Sequence, residues 1–209
     1  MDKIIWDTII WVRGDSISAW IWDPEKWGRV VRLHTYLCNV FLGNDDYYWV
    51  AYNLGIDGDT SEWVLKRFDV ECEARQPNSI MFAIGSNDCT VIDNKETTIS
   101  LDTFKKNIAL LTEKAKKFTD KIVFVWPIIC DETKTNPIPR VPNMSQDMKT
   151  TSMYNDAIKS FCSQNNILFI DMIDVLDKQD LEDGMHPTAQ GHEKMYIRIR
   201  EFLLDKKMI

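Results

Sequence analysis

A serine, a histidine and an aspartate lie in short polar turns of this 209-residue sequence, and together they can perform nucleophilic acyl transfer. Ser16 follows an apolar run on a tight strand-to-helix turn, where its hydroxyl can serve as the nucleophile. His186 is the candidate base, and Asp183, three residues earlier, is close enough to hydrogen-bond the far imidazole nitrogen. Ser16, Asp183 and His186 are therefore the predicted catalytic residues.

Three hydrogen-bond donors are predicted to hold the oxyanion that forms when a carbonyl is attacked. They are the backbone amides of Ser16 and Gly58 and the side-chain amide of Asn87. We expect glycine at position 58 because a side chain there would crowd the substrate carbonyl.

The elements that must position these residues are short apolar strands that alternate with amphipathic helices. Each strand run is continuously apolar, which is typical of strands covered on both faces. The alternation predicts βαβ units and a mostly parallel sheet with helices on both faces. The predicted strands span residues 9–12, 49–52, 80–84, 122–126 and 167–170, and the predicted helices span 24–42, 61–75, 102–118, 151–165 and 188–204.

Four polar turns that contain glycine come after strands of this predicted sheet, namely 13–16, 53–60, 85–88 and 183–187. Ligands of open α/β sheets bind at the carboxyl ends of the strands. Five of the eight glycines lie in these turns, which indicates that they place backbone N–H groups near a ligand. The long irregular stretch 128–146, with three prolines, is interpreted as a rim or lid over the site, or else as a plain surface excursion.

The four turns resemble the conserved blocks of the SGNH hydrolases, also called the GDSL esterase/lipase family. The resemblance spans residues 14 to 187, in the order of the family's blocks. Gly14-Asp15-Ser16 resembles the nucleophile block, Gly58 within 53–61 the second, Gly85-x-Asn87-Asp88 the third and Asp183-x-x-His186-Pro187 the last.

This resemblance implies a three-layer α/β/α sandwich with a flavodoxin-like, five-stranded parallel sheet, and a serine hydrolase without metal or cofactor. Ser16 would be its nucleophile, His186 the base, Asp183 the partner of His186, and Gly58 and Asn87 oxyanion donors. The Gly-x-Ser-x-Gly elbow of the α/β-hydrolases does not occur, which argues against that fold.

Trp20 and Trp22 are the candidates for substrate contact, because family members often place aromatic residues after the nucleophile turn. Asp15, next to the nucleophile, is included with them, although bonding of turn amides is its more ordinary role. The other tryptophans, Trp27 among them, are expected in the core.

Three more charged residues lie in or beside these turns. Arg13 departs from the family pattern, in which a small or apolar residue is usual, and it is interpreted as a surface residue or as positive charge near the site. Asp88 is expected to bond turn amides, and Asp59 is expected to cap the next helix.

Composition bounds the class of protein. The formal net charge of −7 argues against nucleic acid as a partner, and hydrophobic and charged fractions of 44% and 27% are ordinary for one globular domain over residues 1–209. No stretch approaches a membrane span, and the first residues do not resemble a secretion signal, so we expect a cytoplasmic protein. Five cysteines without metal-ligand spacing fit buried thiols in a reducing compartment. The sequence carries no signal for an oligomeric state.

The sequence therefore predicts an esterase that hydrolyses short acyl esters, of the acetyl type, through an acyl-enzyme on Ser16. A carbohydrate O-acetyl esterase or an acyltransferase with the same residues is the alternative. An FMN-binding module is disfavoured because the turn 13–16 is too short to hold a phosphate. A non-catalytic interaction domain is disfavoured because Ser16, Asp183 and His186 are all intact.

Overall fold

The five predicted strands are present and form one parallel sheet. The computed structural model describes residues 8–40, 42, 49–126 and 129–209. Within these ranges the strands are β1 (Thr8–Gly14), β2 (Trp49–Asn53), β3 (Ser79–Ala83), β4 (Val91–Ile92), β5 (Glu96–Thr97), β6 (Ile122–Val125), β7 (Met144–Ser145) and β8 (Leu168–Ile170). The parallel sheet has the order β2-β1-β3-β6-β8, while β5-β4-β7 form a small antiparallel sheet that the sequence analysis missed.

Helices cover both faces of the parallel sheet. They are α1 (Ser16–Ala19), α2 (Gly28–Val40), α3 (Ser61–Arg75), α4 (Leu101–Ala115), α5 (Glu132–Thr135), α6 (Met148–Asn165) and α7 (Ala189–Asp205). One apolar cluster joins the sheet to α2 and α7, and a second joins it to α3, α4 and α6. Alternate residues of β3 divide between the two clusters because successive side chains of a strand point to opposite faces. The predicted α/β/α sandwich is confirmed, and its strand order is flavodoxin-like.

The register of the sheet aligns the turns that carry the candidate site. Gly14, at the end of β1, pairs with Ala83 at the end of β3, and Val12 pairs with Asn53 at the end of β2. Because these strands are parallel, the segments that follow them leave the sheet at the same edge. The turn of Ser16 therefore lies between the turns that begin after Asn53 and after Ala83.

Two predicted segments differ from the observed ones. The helix predicted over 24–42 begins only at Gly28, because a turn with left-handed backbone at Trp22 and Trp27 precedes it. Residue 41, within the predicted range, lies outside the described residues. In the segment predicted as irregular, position 128 lies outside the described residues, and 129–146 contain α5 and β7.

Nowhere in the described ranges is there a helix that combines the length and the apolar character needed to cross a membrane.

Candidate active site

Ser16, His186 and Asp183 lie in contact at the carboxyl edge of the parallel sheet. Oγ of Ser16 is 2.8 Å from Nε2 of His186, and Nδ1 of His186 is 2.8 Å from Oδ2 of Asp183. Since a carboxylate oxygen only accepts, neutral His186 carries its proton on Nδ1 and leaves Nε2 to accept from the serine hydroxyl. In this tautomer a histidine can remove the proton of a serine.

Four N–H groups surround the carboxylate of Asp183. Oδ1 accepts from the backbone N–H groups of Met185 at 3.1 Å and His186 at 2.9 Å. Oδ2 accepts from the ring of His186 and, at 3.3 Å, from the indole Nε1 of Trp22. Burial by itself would raise the pKa of Asp183, but the hydrogen bonds and charge of His186 outweigh it and hold the pKa well below its usual value. Asp183 is therefore an oriented carboxylate at neutral pH.

Asp15 caps the short helix that begins at Ser16. Its Oδ1 accepts from the backbone N–H of Ile17 at 3.0 Å, and the residue is 0% exposed. This position does not fit the expectation that Asp15 contacts substrate, because a ligand cannot reach a buried carboxylate. Its observed role is to fix the start of α1, as its alternative interpretation proposed.

A buried arginine of α2 donates hydrogen bonds to α1. The guanidinium of Arg29 donates to the carbonyl of Ile17 at 3.0 Å and to Oγ of Ser18 at 2.8 Å. Burial lowers the pKa of Arg29 to about 10, an effect that the charge of Asp15 opposes. Arg29 was not among the predicted site residues, although an arginine four residues before Leu33, on the apolar face of a helix, is a usable signal.

The two other predicted oxyanion donors lie on neighbouring loops. Nδ2 of Asn87 donates to the carbonyl of Asp59 at 2.9 Å, which leaves the second N–H of this amide for another acceptor. Gly58 directly precedes Asp59 and has φ of +76°, a conformation that disfavours any side chain. An added Cβ at Gly58 would meet no protein atom within 4 Å, so its backbone conformation provides the structural reason for glycine.

Asn53 and Gly55, at the start of the predicted turn 53–60, join the Gly58 loop to α1. Nδ2 of Asn53 donates to the carbonyl of Ser18, and Oδ1 of Asn53 accepts from the N–H of Gly55 at 3.0 Å. A Cβ at Gly55 would lie 2.8 Å from the carbonyl oxygen of Asp15. The loop therefore packs directly against the turn that carries the serine.

Arg13 is buried against α3, so the interpretation of it as a surface residue is wrong, and its charge is paired with Glu71. It is 0% exposed, and its guanidinium contacts α3, with Oε2 of Glu71 at 2.7 Å and Sγ of Cys72 at 3.1 Å. The physical reason is its strand position, which directs the side chain to the sheet face covered by α3.

Asp59 does not cap the next helix as predicted, because Thr60 takes the N-cap position. The carboxylate of Asp59 instead accepts from the guanidinium of Arg67, with a shortest distance of 2.6 Å. Arg67 also contacts Glu71 at 2.8 Å, so α3 holds the loop that presents Gly58.

The aromatic candidates lie at the surface near the site. Trp20 is 41% exposed and Trp22 is 43% exposed, and Trp22 reaches Asp183. Trp27, which we expected in the core, is 50% exposed, and its ring centroid lies 4.7 Å from that of Trp20.

The segment 129–146 connects two of the loops at this edge. The N–H of Asp131 donates to the carbonyl of Gly184 at 2.8 Å, next to Asp183. Nε2 of Gln146 donates to the carbonyl of Ser86 at 2.8 Å, next to Asn87. The segment is thus in contact with both loops and is more than a surface excursion.

Among the side chains that the structure describes, no group of three or more His, Cys, Asp or Glu residues is arranged to hold a metal ion.

Comparison with known proteins identifies the family. Residues 12–194 match the model of the GDSL-like lipase/acylhydrolase family. The chain belongs to this family, and the resemblance inferred from the four turns is confirmed.

The similar proteins include characterised and structurally solved esterases. An acetylxylan esterase of Geobacillus stearothermophilus is 24% identical over 152 residues, which cover 67% of this chain; the chain spans about 65% of that relative's length. A crystal structure of Axe2, an acetylxylan esterase of the same organism in a catalytic mutant form, matches with a TM-score of 0.73 at 18% identity over 94% of each chain. A lipase/acylhydrolase from Enterococcus faecalis matches with a TM-score of 0.76 at 20% identity, over 95% of this chain and 96% of that one. At these identities the structural likeness shows the fold.

The buried carboxylate of Asp88 leads to a prediction for stability. Asp88 accepts from the backbone N–H and the hydroxyl of Ser61, and burial raises its pKa to about 7. Between about pH 4, where an unfolded aspartate ionises, and pH 7 the folded protein keeps this proton and the unfolded chain releases it. The contribution of Asp88 to the free energy of unfolding should therefore fall as pH rises through this window, and level off above it.

Asp88→Asn removes this titration. The free energy of unfolding of both proteins is measured by urea denaturation at several pH values from 4 to 8. The difference, variant minus wild type, should increase with pH by up to about 1.4 kcal/mol per pH unit. A difference between variant and wild type that does not change with pH would show that Asp88 is ionised in the folded protein throughout.

Proposed function

We propose that the protein is a serine esterase in which Ser16, His186 and Asp183 act as the catalytic triad. The observation that carries this proposal is the continuous chain of 2.8 Å contacts from Ser16 Oγ through His186 to Asp183. Membership of a lipase/acylhydrolase family supports the same reaction class, the hydrolysis of carboxylic esters.

In the proposed mechanism His186 first acts as a base. Nε2 of His186 takes the proton of Ser16 while Oγ attacks the ester carbonyl, and Asp183 stabilises the imidazolium that forms. The tetrahedral intermediate collapses as His186 gives its proton to the leaving alkoxide, which leaves the acyl group on Ser16. Water then attacks the acyl-enzyme with His186 again as the base, and the acid is released.

Backbone and side-chain amides stabilise the oxyanion of each tetrahedral intermediate. The N–H of Ser16 is the first amide of α1, and a first-turn amide has no acceptor inside its own helix. The N–H of Gly58 and the remaining N–H of Asn87 complete the proposed set, and the bond from Asn87 to the carbonyl of Asp59 keeps their loops together.

An acetyl ester of a carbohydrate is the favoured substrate within this class. The acetylxylan esterases among the similar proteins suggest it. The half-exposed rings of Trp20 and Trp22 support it, because aromatic side chains offer an apolar face with a polar N–H to a sugar ring. A simple short-chain ester without a sugar is the second candidate, and an acyl acceptor other than water would give a transferase.

Ser16→Ala should abolish ester hydrolysis, because no acyl-enzyme can form. Release of p-nitrophenol from p-nitrophenyl acetate, with purified wild type and variant, measures this. Ser160→Ala, at an exposed position of α6, is the matched control and should keep wild-type activity. Turnover by Ser16→Ala at the wild-type rate would contradict the role of Ser16.

Asn87→Ala should lower kcat by about 10²- to 10³-fold, because one oxyanion donor is lost. KM should change little, since the donor acts on charge that develops in the transition state. Steady-state kinetics with p-nitrophenyl acetate measures both constants. A loss confined to KM would place Asn87 in ground-state binding instead.

Trp22→Phe should lower kcat by about three- to tenfold, because Oδ2 of Asp183 loses one of its two N–H donors while the ring is kept. The matched control is Trp63→Phe on α3, where Trp63 is also exposed. Steady-state kinetics of the wild type and both variants with p-nitrophenyl acetate measures the effect. A kcat of Trp22→Phe equal to that of the wild type would show that the indole N–H does not position Asp183.

A further inference from the structure

We propose that the groove between α2 and α7 is a second saccharide subsite, which binds a neutral sugar unit of the same chain whose ester lies at Ser16. This inference rests on the proposed function, and it adds a place where the substrate is held beyond the reacting ester. Its consequence is a preference for acetylated oligosaccharides over small esters.

The groove has a size and lining suited to a sugar. Its volume is about 540 Å³, which is within the usual range for ligand sites. Aromatic rings of Trp27, Tyr36 and Tyr196 line it together with hydrogen-bonding side chains that include Thr35 and Asn39. Trp27, which is 50% exposed, offers an apolar ring to a ligand, whereas the guanidinium of Arg200 lies over the rings of Tyr36 and Tyr196. The groove thus combines an exposed aromatic ring with donors and acceptors, as a pyranose requires.

The charges in the groove favour a neutral ligand. Its lining contains two acidic residues, Glu25 and Glu193, and two basic ones, Lys26 and Arg32. Arg32 forms ion pairs with Glu193 and, at 2.7 Å, with the buried Asp23, and Lys26 lies 3.9 Å from Glu193. Because the lining holds equal numbers of acidic and basic residues, the groove offers no excess of formal charge to an anionic or cationic polymer.

An aromatic segment connects the groove with the catalytic residues. Trp22 donates to Asp183 at one end of this segment, and Trp27 lines the groove at the other. Between them Trp20 packs against Trp27 at 4.7 Å between ring centroids. On the other side Glu193 lies on the first turns of α7, seven residues after His186. The Trp27 end of the groove is therefore linked to Asp183 through the rings of Trp20 and Trp22.

The segment is held in an unusual backbone conformation. Trp20, Trp22 and Trp27 have φ values of 87°, 68° and 58°, in the left-handed region that large side chains normally avoid. Strain of this kind persists only where the surroundings enforce it, and it is concentrated at functional sites. Here it places three large rings at the surface.

Buried polar contacts enforce this conformation. Asp23, which is 0% exposed, accepts from the backbone N–H of Gly28 at 2.9 Å and from Arg32 at 2.7 Å. His192 of α7, also 0% exposed, lies with Nε2 3.1 Å from the carbonyl of Ile21; because a carbonyl only accepts, the imidazole is the donor. Thus α2 and α7, which form the groove, also fix the aromatic segment.

The length of the groove fits more than a single small group. It extends along α2 from Trp27, just before the helix, to Asn39, which corresponds to about 18 Å at 1.5 Å per residue. A single acetyl group or a p-nitrophenyl ring next to Ser16 would leave this length unused. An oligosaccharide that is acetylated near one end would occupy both sites.

The test measures binding and turnover separately. Binding of the non-acetylated hexasaccharides xylohexaose, cellohexaose and mannohexaose to Ser16→Ala is followed by calorimetry, and hydrolysis of acetylated xylo-oligosaccharides of two to six units is compared with that of p-nitrophenyl acetate. Added to Ser16→Ala, the change Trp27→Ala should weaken the binding of whichever of the three hexasaccharides the protein binds. In the active enzyme, Trp27→Ala should raise KM for the longest acetylated substrate by about fivefold to tenfold. Hydrolysis of p-nitrophenyl acetate is measured for each variant as well, so that a loss of oligosaccharide binding is compared with any loss at the reacting ester.

A second variant and a matched control keep the result interpretable. Thr35→Trp fills the groove from an exposed helix position, and it should reduce oligosaccharide binding even if Trp27→Ala affects the local backbone. Trp63→Ala removes an equally exposed tryptophan from α3, on the other face of the sheet, and it should behave like the wild type.

The outcomes separate the subsite from the proposed function. Binding of none of the three hexasaccharides, or binding that both groove variants leave intact, would overturn the subsite even if esters are hydrolysed. Binding that depends on Trp27 in a protein that hydrolyses no ester would support the subsite and refute the esterase. Stronger binding of polygalacturonate than of the neutral hexasaccharides would also overturn the proposal, because it requires an uncharged ligand.

Discussion

The hydrogen bond between Ser16 and His186 joins two turns that are 170 residues apart in the chain. The bond depends on a constraint of the parallel sheet, in which consecutive strands release the chain at the same edge. The turn of Ser16 follows β1 and the turn of His186 comes after β8, so the bond depends on the parallel order of the whole sheet as well as on the local turns. The other features of the site hold these turns at that edge.

Buried charges carry much of this support, and they lie behind the reactive groups. Arg29 donates hydrogen bonds to α1, and Arg67 donates to the loop of Gly58. Arg32, on α2, donates to Asp23 of the aromatic segment and to α7. An arginine suits this task because its planar group donates several hydrogen bonds at once to carbonyls and carboxylates. Burying a charge is costly unless it is paired, so each of these contacts also restricts how the surrounding loops can rearrange.

The same arrangement separates a buried centre from an exposed surface. Ser16 is 8% exposed and has fixed partners, whereas the tryptophans beside it are exposed by two fifths to one half. Trp22 belongs to both regions because its indole contacts Asp183. A ligand on the aromatic surface would thus lie beside Trp22, whose indole contacts the carboxylate that is hydrogen-bonded to His186.

Much of the fold was predictable from local patterns. The five apolar runs gave the strands of the parallel sheet, because continuous apolar stretches bounded by polar turns are a local property. The small antiparallel sheet and α1 were missed because strands of two residues and a four-residue helix leave almost no periodicity. Helix boundaries were accurate for α3 and shifted for α2, where strained tryptophans replace the first turn.

The sequence by itself determined which residues meet at the edge of the sheet. Ser16, Asp183 and His186 were identified from their types, order and positions after predicted strands, and the sheet then had to bring those turns together. Only the tertiary structure decided the burial of Asp15 and Arg13, the exposure of Trp27, and the contact of Trp22 with Asp183. The physical reason is that burial and contact depend on what distant segments place against a side chain. No local pattern of residues records those neighbours.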